Sequence, residues 1–349
     1  MDKLYRYGIR GITHKLIKSF LSNRQHQVKY KNAISKSYFV RTGVPQGSCL
    51  GPLLFNIYTI DVENALKNSN VTMYADDITI EITGNNLQTL GSQANNILDI
   101  FNEYCVHNYL SISAIKTVFM IFANTSLSTD SIPTINLGNS QIKKVDTTCY
   151  LGIYIDEKLK FTKQAEEIRQ KLNMYKSISR KINNKLPLVP AKIYYFSLVQ
   201  SHLIYGLTVW GGALFVNETH IDLQIKQDKI VRALFAKFFP AKNLDEIYIE
   251  LRIAKLKQLY KIYVSLYFFD IIYTNKYPQI KAATNDLLFD HSYNTRKNSL
   301  IIPLNRFPNF RHNFLYNAVK VWNEIPSTIK HIVNKKKFKN EIKKHFMAN

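Results

Sequence analysis

Two adjacent aspartates, Asp76 and Asp77, lie between two short runs of β-favouring residues and constrain the fold more than any other feature of the sequence. Residues 71–74 and 78–82 are rich in valine, isoleucine, threonine and tyrosine, which pack well in strands. Aspartate is uncommon inside a strand and common in a turn. The sequence therefore predicts a β-hairpin that carries both carboxylates at its tip.

A glycine-flanked loop precedes this hairpin. Residues 37–42 suit a strand, and residues 43–47, with the sequence GVPQG, suit a turn. Ser48 can then cap a helix that runs from about residue 52 to 67. An isolated pair of acids usually does no more than solvate a turn. Here an apolar helix between loop and hairpin has room to pack under the hairpin, and this favours a functional interpretation of the acids.

Downstream of the hairpin, helix and strand signals alternate. Apolar residues recur at steps of three and four over residues 87–105, which predicts an amphipathic helix lying on a sheet. Residues 118–122 should return as a strand, and Gly138-Asn139 should form the turn of a second hairpin. With a further strand at residues 150–155, these elements predict a mixed α/β domain that ends near residue 155.

The rest of the chain is predicted to be largely helical and strongly basic. Residues 158–192 contain ten Lys and Arg residues against only Glu166 and Glu167. The whole chain has 47 Lys and Arg against 25 Asp and Glu, a formal net charge of +22, which favours nucleic acid as a partner. For each basic run alone, including residues 335–344, a solvated helix face is the ordinary alternative.

No membrane partner is expected, although residues 194–216 form a long uncharged run. Polar residues and three glycines interrupt that run, so a buried helix followed by a turn or strand explains it better than a membrane span. The three cysteines are far apart and have no metal-ligand spacing: Cys49, Cys105 and Cys149. We therefore expect a reduced, intracellular protein without a zinc site.

Two segments of this sequence resemble motifs of a known family. Residues 43–48 (GVPQGS) with residues 50–55 (LGPLLF) resemble motif B of the reverse transcriptases of non-long-terminal-repeat (non-LTR) retrotransposons. Residues 74–77 (YADD) resemble motif C of the same enzymes. Their order and spacing also agree, so the chain is identified as a member of that family.

The resemblance continues along the chain. Residues 108–112 (NYLSI) with Lys116-Thr117 are similar to motif D, although Ser113 stands where the family usually has Asn. Residues 150–152 (YLG) are similar to the primer grip. Farther on, Asn294-Thr295-Arg296 and residues 322–326 (WNEIP) look like the carboxyl-terminal region of jockey-like elements; Trp322 itself is predicted to lie in the core.

The resemblance implies RNA-directed DNA polymerase activity, in which two Mg²⁺ ions assist attack of a primer 3′-hydroxyl on a deoxynucleoside triphosphate. The implied partners are an RNA template, a DNA primer or RNA–DNA hybrid, and deoxynucleoside triphosphates, in the nucleus or cytoplasm. The implied site residues are Asp76 and Asp77 for catalysis and metal binding, Lys116 for catalysis, Gln46, Gly47 and Tyr74 for template and nucleotide, and Tyr150, Leu151 and Gly152 for the primer. Each assignment also has a purely structural alternative. Gln46 and Gly47 could form an ordinary turn before a helix, Lys116 could be an ordinary exposed lysine, and residues 150–152 could be an ordinary edge strand.

The fold implied by the resemblance is α+β: a partial polymerase palm, made of an antiparallel sheet with packed helices, followed by a helical thumb and a helical carboxyl-terminal domain. The expected domains are a palm at residues 1–155, a thumb-like region at residues 156–240 and a basic helical region at residues 241–349.

In the family, motif A contributes the first metal-binding Asp and lies ahead of the segment that corresponds to residues 7–11. We expect motif A and the fingers to be absent from this chain, which is expected to be amino-terminally truncated and inactive on its own. A non-catalytic nucleic-acid-binding remnant of a retroelement and an incomplete gene sequence remain open as alternatives.

Overall fold

Within the part of the chain that the structure describes, every strand lies before residue 157, and the regular structure beyond that residue is helical. The computed structural model describes residues 1–67, 69–123, 132–183, 185–216, 218–274, 276–278, 280–282, 300 and 314–348. The first unit comprises residues 1–119 and 126–144, and the second comprises residues 120–125 and 145–349. This arrangement confirms the mixed α/β character that the sequence predicts.

In its described residues, the first unit combines five helices with short strand pairs. Its helices are α1 (Asp2–Arg6), α2 (Gly11–Leu21), α3 (Gly51–Thr59), α4 (Val62–Ala65) and α5 (Leu87–His107). Its strands are β1 (Arg24–His26), β2 (Lys29–Tyr30), β3 (Ala33–Ile34), β4 (Tyr38–Val40), β5 (Asn70–Tyr74), β6 (Asp77–Glu81), β7 (Val118–Phe119), β8 (Asn136–Leu137), β9 (Ser140–Gln141) and β10 (Lys143–Lys144). Four pairs are antiparallel, β1 with β4, β2 with β3, β5 with β6 and β8 with β9, whereas β7 and β10 run parallel.

The predicted hairpin and the predicted amphipathic helix are both present and pack together. In β5, Val71 and Met73 alternate with exposed residues, so one face of the hairpin is apolar. That face packs with α5 and the residues around α4, where Phe101 and Leu66 are buried. The side chain of Asn86 caps α5 by accepting a hydrogen bond from the Gln88 amide, at 2.8 Å. The hairpin is therefore held from one side.

As far as the structure describes it, the second unit is a helical assembly with one strand pair. Strands β11 (Thr147–Tyr150) and β12 (Ile153–Asp156) are antiparallel. The helices are α6 (Thr162–Ile182), α7 (Leu188–Tyr194), α8 (Ser201–Ile204), α9 (Leu207–Val216), α10 (His220–Phe235), α11 (Leu244–Leu251), α12 (Leu256–Tyr273), α13 (Phe314–Asn323), α14 (Ser327–Lys330) and α15 (Lys335–Ala348), with a π-helical turn at Tyr195–Gln200 and a 3₁₀ turn at Ala236–Phe238. A large apolar cluster of described residues joins them.

The long uncharged run is part of this core. Residues 194–204 are helical and partly buried, and a turn follows at Tyr205-Gly206, as predicted; the second helix, Leu207–Val216, was not predicted. Trp322 is also in the core, with 4% of its surface exposed. Among the described residues, no helix is both long enough and apolar enough to cross a membrane. The segment Asn294-Thr295-Arg296 lies outside the described residues.

Three predicted elements need correction. The strand predicted at residues 150–155 is a hairpin, because Leu151 and Gly152 both adopt positive φ and reverse the chain. The strand predicted at residues 118–122 is limited to β7. The helix predicted from residue 52 to 67 is split into α3 and α4 by non-helical residues 60–61. In each case apolar composition indicated the element without fixing its length.

Candidate functional site

The acidic hairpin presents its two aspartates differently. Tyr74 pairs with Asp77, so Ala75 and Asp76 form the two-residue loop and Asp77 begins β6. Ala75 has φ +52°, a conformation that costs a residue with a Cβ about 1–2 kcal/mol. Tyr74, Asp76 and Asp77 are all exposed. The hairpin thus places two carboxylates and an aromatic ring at one accessible end.

The loop at residues 43–48 is shaped by two glycines and one serine. Gly43 and Gly47 have φ +74° and +76°, which glycine adopts without strain. The Ser48 hydroxyl donates to the Pro45 carbonyl at 2.7 Å and accepts from the Gly51 amide at 3.1 Å. Ser48 therefore closes the turn, whereas Leu50 occupies the N-cap of α3, which corrects the predicted cap.

Gln46 and Gly47 are exposed at this turn, as a contact with a large ligand would require. A Cβ added at Gly47 would meet no heavy atom within 4 Å, so the surface beside it is open. Arg24 holds the start of the loop by donating to the carbonyls of Thr42 and Gly43, at 3.1 and 2.6 Å. The loop is therefore fixed at its base and accessible at its apex.

Lys116 lies in a turn just before β7 and is exposed. Its amide donates to the Ser113 carbonyl at 3.1 Å, and the Thr117 hydroxyl donates to the same carbonyl at 2.9 Å. Among the described residues, its ammonium has no ion pair with Asp76 or Asp77. Lys116 is thus exposed, as one interpretation of the sequence predicted, and within the described part of the chain it makes no ion pair with the acidic hairpin.

Tyr150, Leu151 and Gly152 form the bend of the β11–β12 hairpin in the second unit. Leu151 has φ +46° and Gly152 has φ +76°, the signature of a type I′ turn. The Tyr205 hydroxyl donates to the Leu151 carbonyl at 2.6 Å. Tyr205 was not singled out from the sequence, because 54 residues separate it from its partner and no local pattern reveals the contact.

The basic run at residues 158–192 retains its excess of positive charge in the folded unit. Lys163 pairs with Glu167 at 3.0 Å, and Arg169 pairs with Glu166 at 2.6 Å. These pairs use both acids of the run, so eight of its ten basic side chains have no acid left within it. Such a surface attracts phosphates over a range set by ionic strength.

Comparison with known proteins gives this geometry a context. Residues 1–155 match the family described as reverse transcriptase (RNA-dependent DNA polymerase). The chain is thus similar to RNA-directed DNA polymerases of transposable elements. The residues that match this family include the loop at 43–48, the acidic hairpin, Lys116 and the segment 150–152.

Two of the similar proteins come from Drosophila species. The chain is 28% identical over 255 residues to the probable RNA-directed DNA polymerase from transposon BS of Drosophila melanogaster, covering 67% of this chain and 27% of that protein. It is 29% identical over 234 residues to the RNA-directed DNA polymerase from mobile element jockey of Drosophila funebris, covering 63% of this chain and 25% of that protein. The chain thus spans about a quarter of the length of these curated relatives.

The two carboxylates of the acidic hairpin are groups that can bind Mg²⁺, but the described residues provide too few ligands for a pair of Mg²⁺ ions. Asp76 and Asp77 offer the hard oxygen ligands that Mg²⁺ takes. Among the described residues, however, no third His, Cys, Asp or Glu joins them in a metal-binding group. A pair of Mg²⁺ ions needs more ligands than two adjacent carboxylates provide. The described residues therefore do not complete a two-metal site.

Proposed function

We propose that this chain is a template- and primer-binding part of an RNA-directed DNA polymerase and that, on its own, it binds an RNA–DNA hybrid without extending the primer. The observation that carries the proposal is the exposed Asp76-Asp77 hairpin within a reverse transcriptase match over residues 1–155. The absence of a third metal ligand among the described residues supports the lack of extension. The net charge of +22 supports the binding.

The proposal assigns roles to exposed groups. Gln46, Gly47 and Tyr74 contact template and incoming deoxynucleoside triphosphate, Lys116 faces the pyrophosphate, and Tyr150, Leu151 and Gly152 contact the primer. Asp76 and Asp77 are the carboxylates that the catalytic centre requires. We further propose a palm at residues 1–155, a thumb at 156–240 and a basic helical domain at 241–349, acting in the nucleus or cytoplasm with the element RNA.

Primer extension tests the catalytic part of this proposal. The chain, Asp76→Ala and Asp77→Ala are each given an RNA template, a DNA primer, deoxynucleoside triphosphates and Mg²⁺. We expect all three proteins to bind the hybrid and none to extend it. Extension by the unaltered chain that both substitutions abolish would show a complete catalytic centre. Equal extension by all three would overturn the assignment of Asp76 and Asp77.

The salt dependence of hybrid binding tests the electrostatic part. Affinity should fall linearly with the logarithm of salt concentration, because each neutralised phosphate releases counterions. The double variant Lys171→Gln, Arg180→Gln removes two exposed charges of α6 and should reduce the salt slope by about 2 if both contact phosphate. Lys344→Gln is the control, since that lysine already pairs with Glu341 at 2.8 Å. A flat salt response would contradict phosphate binding.

A further inference from the structure

The bend of the β11–β12 hairpin rests on a second bend, at Tyr205-Gly206, between α8 and α9. The Tyr205 hydroxyl donates to the Leu151 carbonyl at 2.6 Å. A Cβ added at Gly206 would lie 2.3 Å from Cδ1 of Ile153, so the two bends are in direct contact. Leu151 is an aliphatic residue in the left-handed region, a conformation that persists only where surrounding contacts hold it.

The bend at Tyr205 is itself firmly held. The indole N–H of Trp210 donates to the Tyr205 carbonyl at 2.8 Å, and Trp210 is fully buried. Tyr205 keeps about half of its surface exposed, so its ring projects from the core toward the hairpin and solvent. Because the Tyr205 bend is held by the core, the hydrogen bond from its hydroxyl group fixes the position of the Leu151-Gly152 bend.

The other end of the hairpin is fixed by α6 and the segment before it. The buried side chain of Gln164 accepts a hydrogen bond from the Tyr154 amide at 3.0 Å. The Asp156 carboxylate accepts from the amides of Lys158, Lys160 and Phe161, at 3.1, 3.0 and 2.5 Å. With its base held in this way, the hairpin can change its position mainly at the bend, where Tyr205 provides the polar contact.

We propose that Tyr205 is a positioning residue, which holds the Leu151-Gly152 bend where it contacts the primer and so sets the preference of the chain for a primer 3′ end. This inference rests on the proposed function, because that function assigns residues 150–152 to the primer. Tyr205 acts here through the Leu151 carbonyl, without contacting the reacting atoms.

Tyr205→Phe removes the hydrogen bond and keeps the ring. Tyr273→Phe is a matched control, because Tyr273 lies in the same unit and its hydroxyl donates to the Lys330 carbonyl at 2.8 Å. Each full-length protein is measured on two RNA–DNA hybrids: one with a recessed primer 3′ end, and one whose ends are closed by loops. The preference for a 3′ end is the affinity for the recessed hybrid divided by the affinity for the closed hybrid. Separately, the rate of amide hydrogen exchange over residues 149–154 measures how readily the hairpin opens.

We expect Tyr205→Phe to lower the preference for the 3′ end and to speed exchange in the hairpin, each by about fivefold, as the loss of one hydrogen bond predicts. Affinity for the closed hybrid should not change, and Tyr273→Phe should match the unaltered chain in both measurements. If Tyr205→Phe kept the preference of the unaltered chain, the positioning role of Tyr205 would be overturned at any exchange rate, but the primer role of residues 150–152 would stand. A chain that shows no preference before substitution would overturn the primer role of residues 150–152 and this inference with it.

Discussion

The Lys3 ammonium lies 2.8 Å from the Asp61 carboxylate, although 58 residues separate them in sequence. The same carboxylate oxygen accepts a 2.6 Å hydrogen bond from the Tyr104 hydroxyl, and Lys3 also donates to Oδ1 of Asn108 at 2.8 Å. The cluster therefore links α1, the start of α4 and the end of α5. Asn108 begins the segment that resembles motif D, so this network anchors the first residue of that segment.

Asp61→Asn should destabilise the first unit by about 1.5–3 kcal/mol, because it removes the charged partner of two hydrogen bonds. Urea unfolding followed by circular dichroism measures the loss. Both tryptophans, Trp210 and Trp322, lie in the second unit. The urea midpoint measured by tryptophan fluorescence should therefore be the same in Asp61→Asn and in the unaltered chain. Glu63→Gln is the matched control at an exposed acid nearby. Equal stability of the two variants would show that the cluster contributes nothing.

The contribution of Asp61 should disappear at low pH. Burial alone would raise the pKa of Asp61, but hydrogen bonds from Lys3 and Tyr104 outweigh it and hold this pKa below the ordinary value of 3.8. A carboxyl whose pKa is lowered by folding stabilises the fold above its unfolded pKa and loses that effect as pH falls through its folded pKa. The stability difference between the chain and Asp61→Asn should thus be constant from about pH 7 to 5 and shrink below 3.8. A difference that grows on acidification would contradict this sign.

The sequence predicts the acidic hairpin well because its determinants are local. Alternating apolar residues in β5 mark the packed face, and adjacent acids mark the turn. The bend at Leu151 could not be predicted in this way, since leucine gives no local signal for a positive φ. The Lys3–Asp61 pair and the Tyr205 contact depend on chain segments more than fifty residues apart, which the spacing of residue types does not reveal.

Gly206→Ala should destabilise the second unit by about 2–4 kcal/mol. Its φ of +62° already strains a residue with a Cβ, and the added atom would overlap the Ile153 side chain. Gly152→Ala is the matched control: its φ is +76°, but its Cβ would meet Tyr205 Cε1 at an ordinary 3.4 Å, so about 1–2 kcal/mol is expected. Urea unfolding followed by tryptophan fluorescence compares them. Equal losses would show that the two bends are not tightly packed.

Phe338→Ala tests whether α15 is a docked helix or a free basic segment. Phe338, Ile342 and Phe346 recur at steps of four and are buried, whereas Lys336 and Lys337 are exposed. The Phe338 ring stacks on Phe269 with centroids 4.5 Å apart.

Removing the Phe338 ring should therefore cost about 3–5 kcal/mol, measured by urea unfolding with tryptophan fluorescence. Lys336→Ala should change stability by less than about 0.5 kcal/mol, because its side chain is on the solvent side. If Phe338→Ala cost no more than Lys336→Ala, α15 would not contribute to the core of the second unit. A large loss would confine any nucleic-acid contact of this helix to its lysine face, since the opposite face is already occupied by the core.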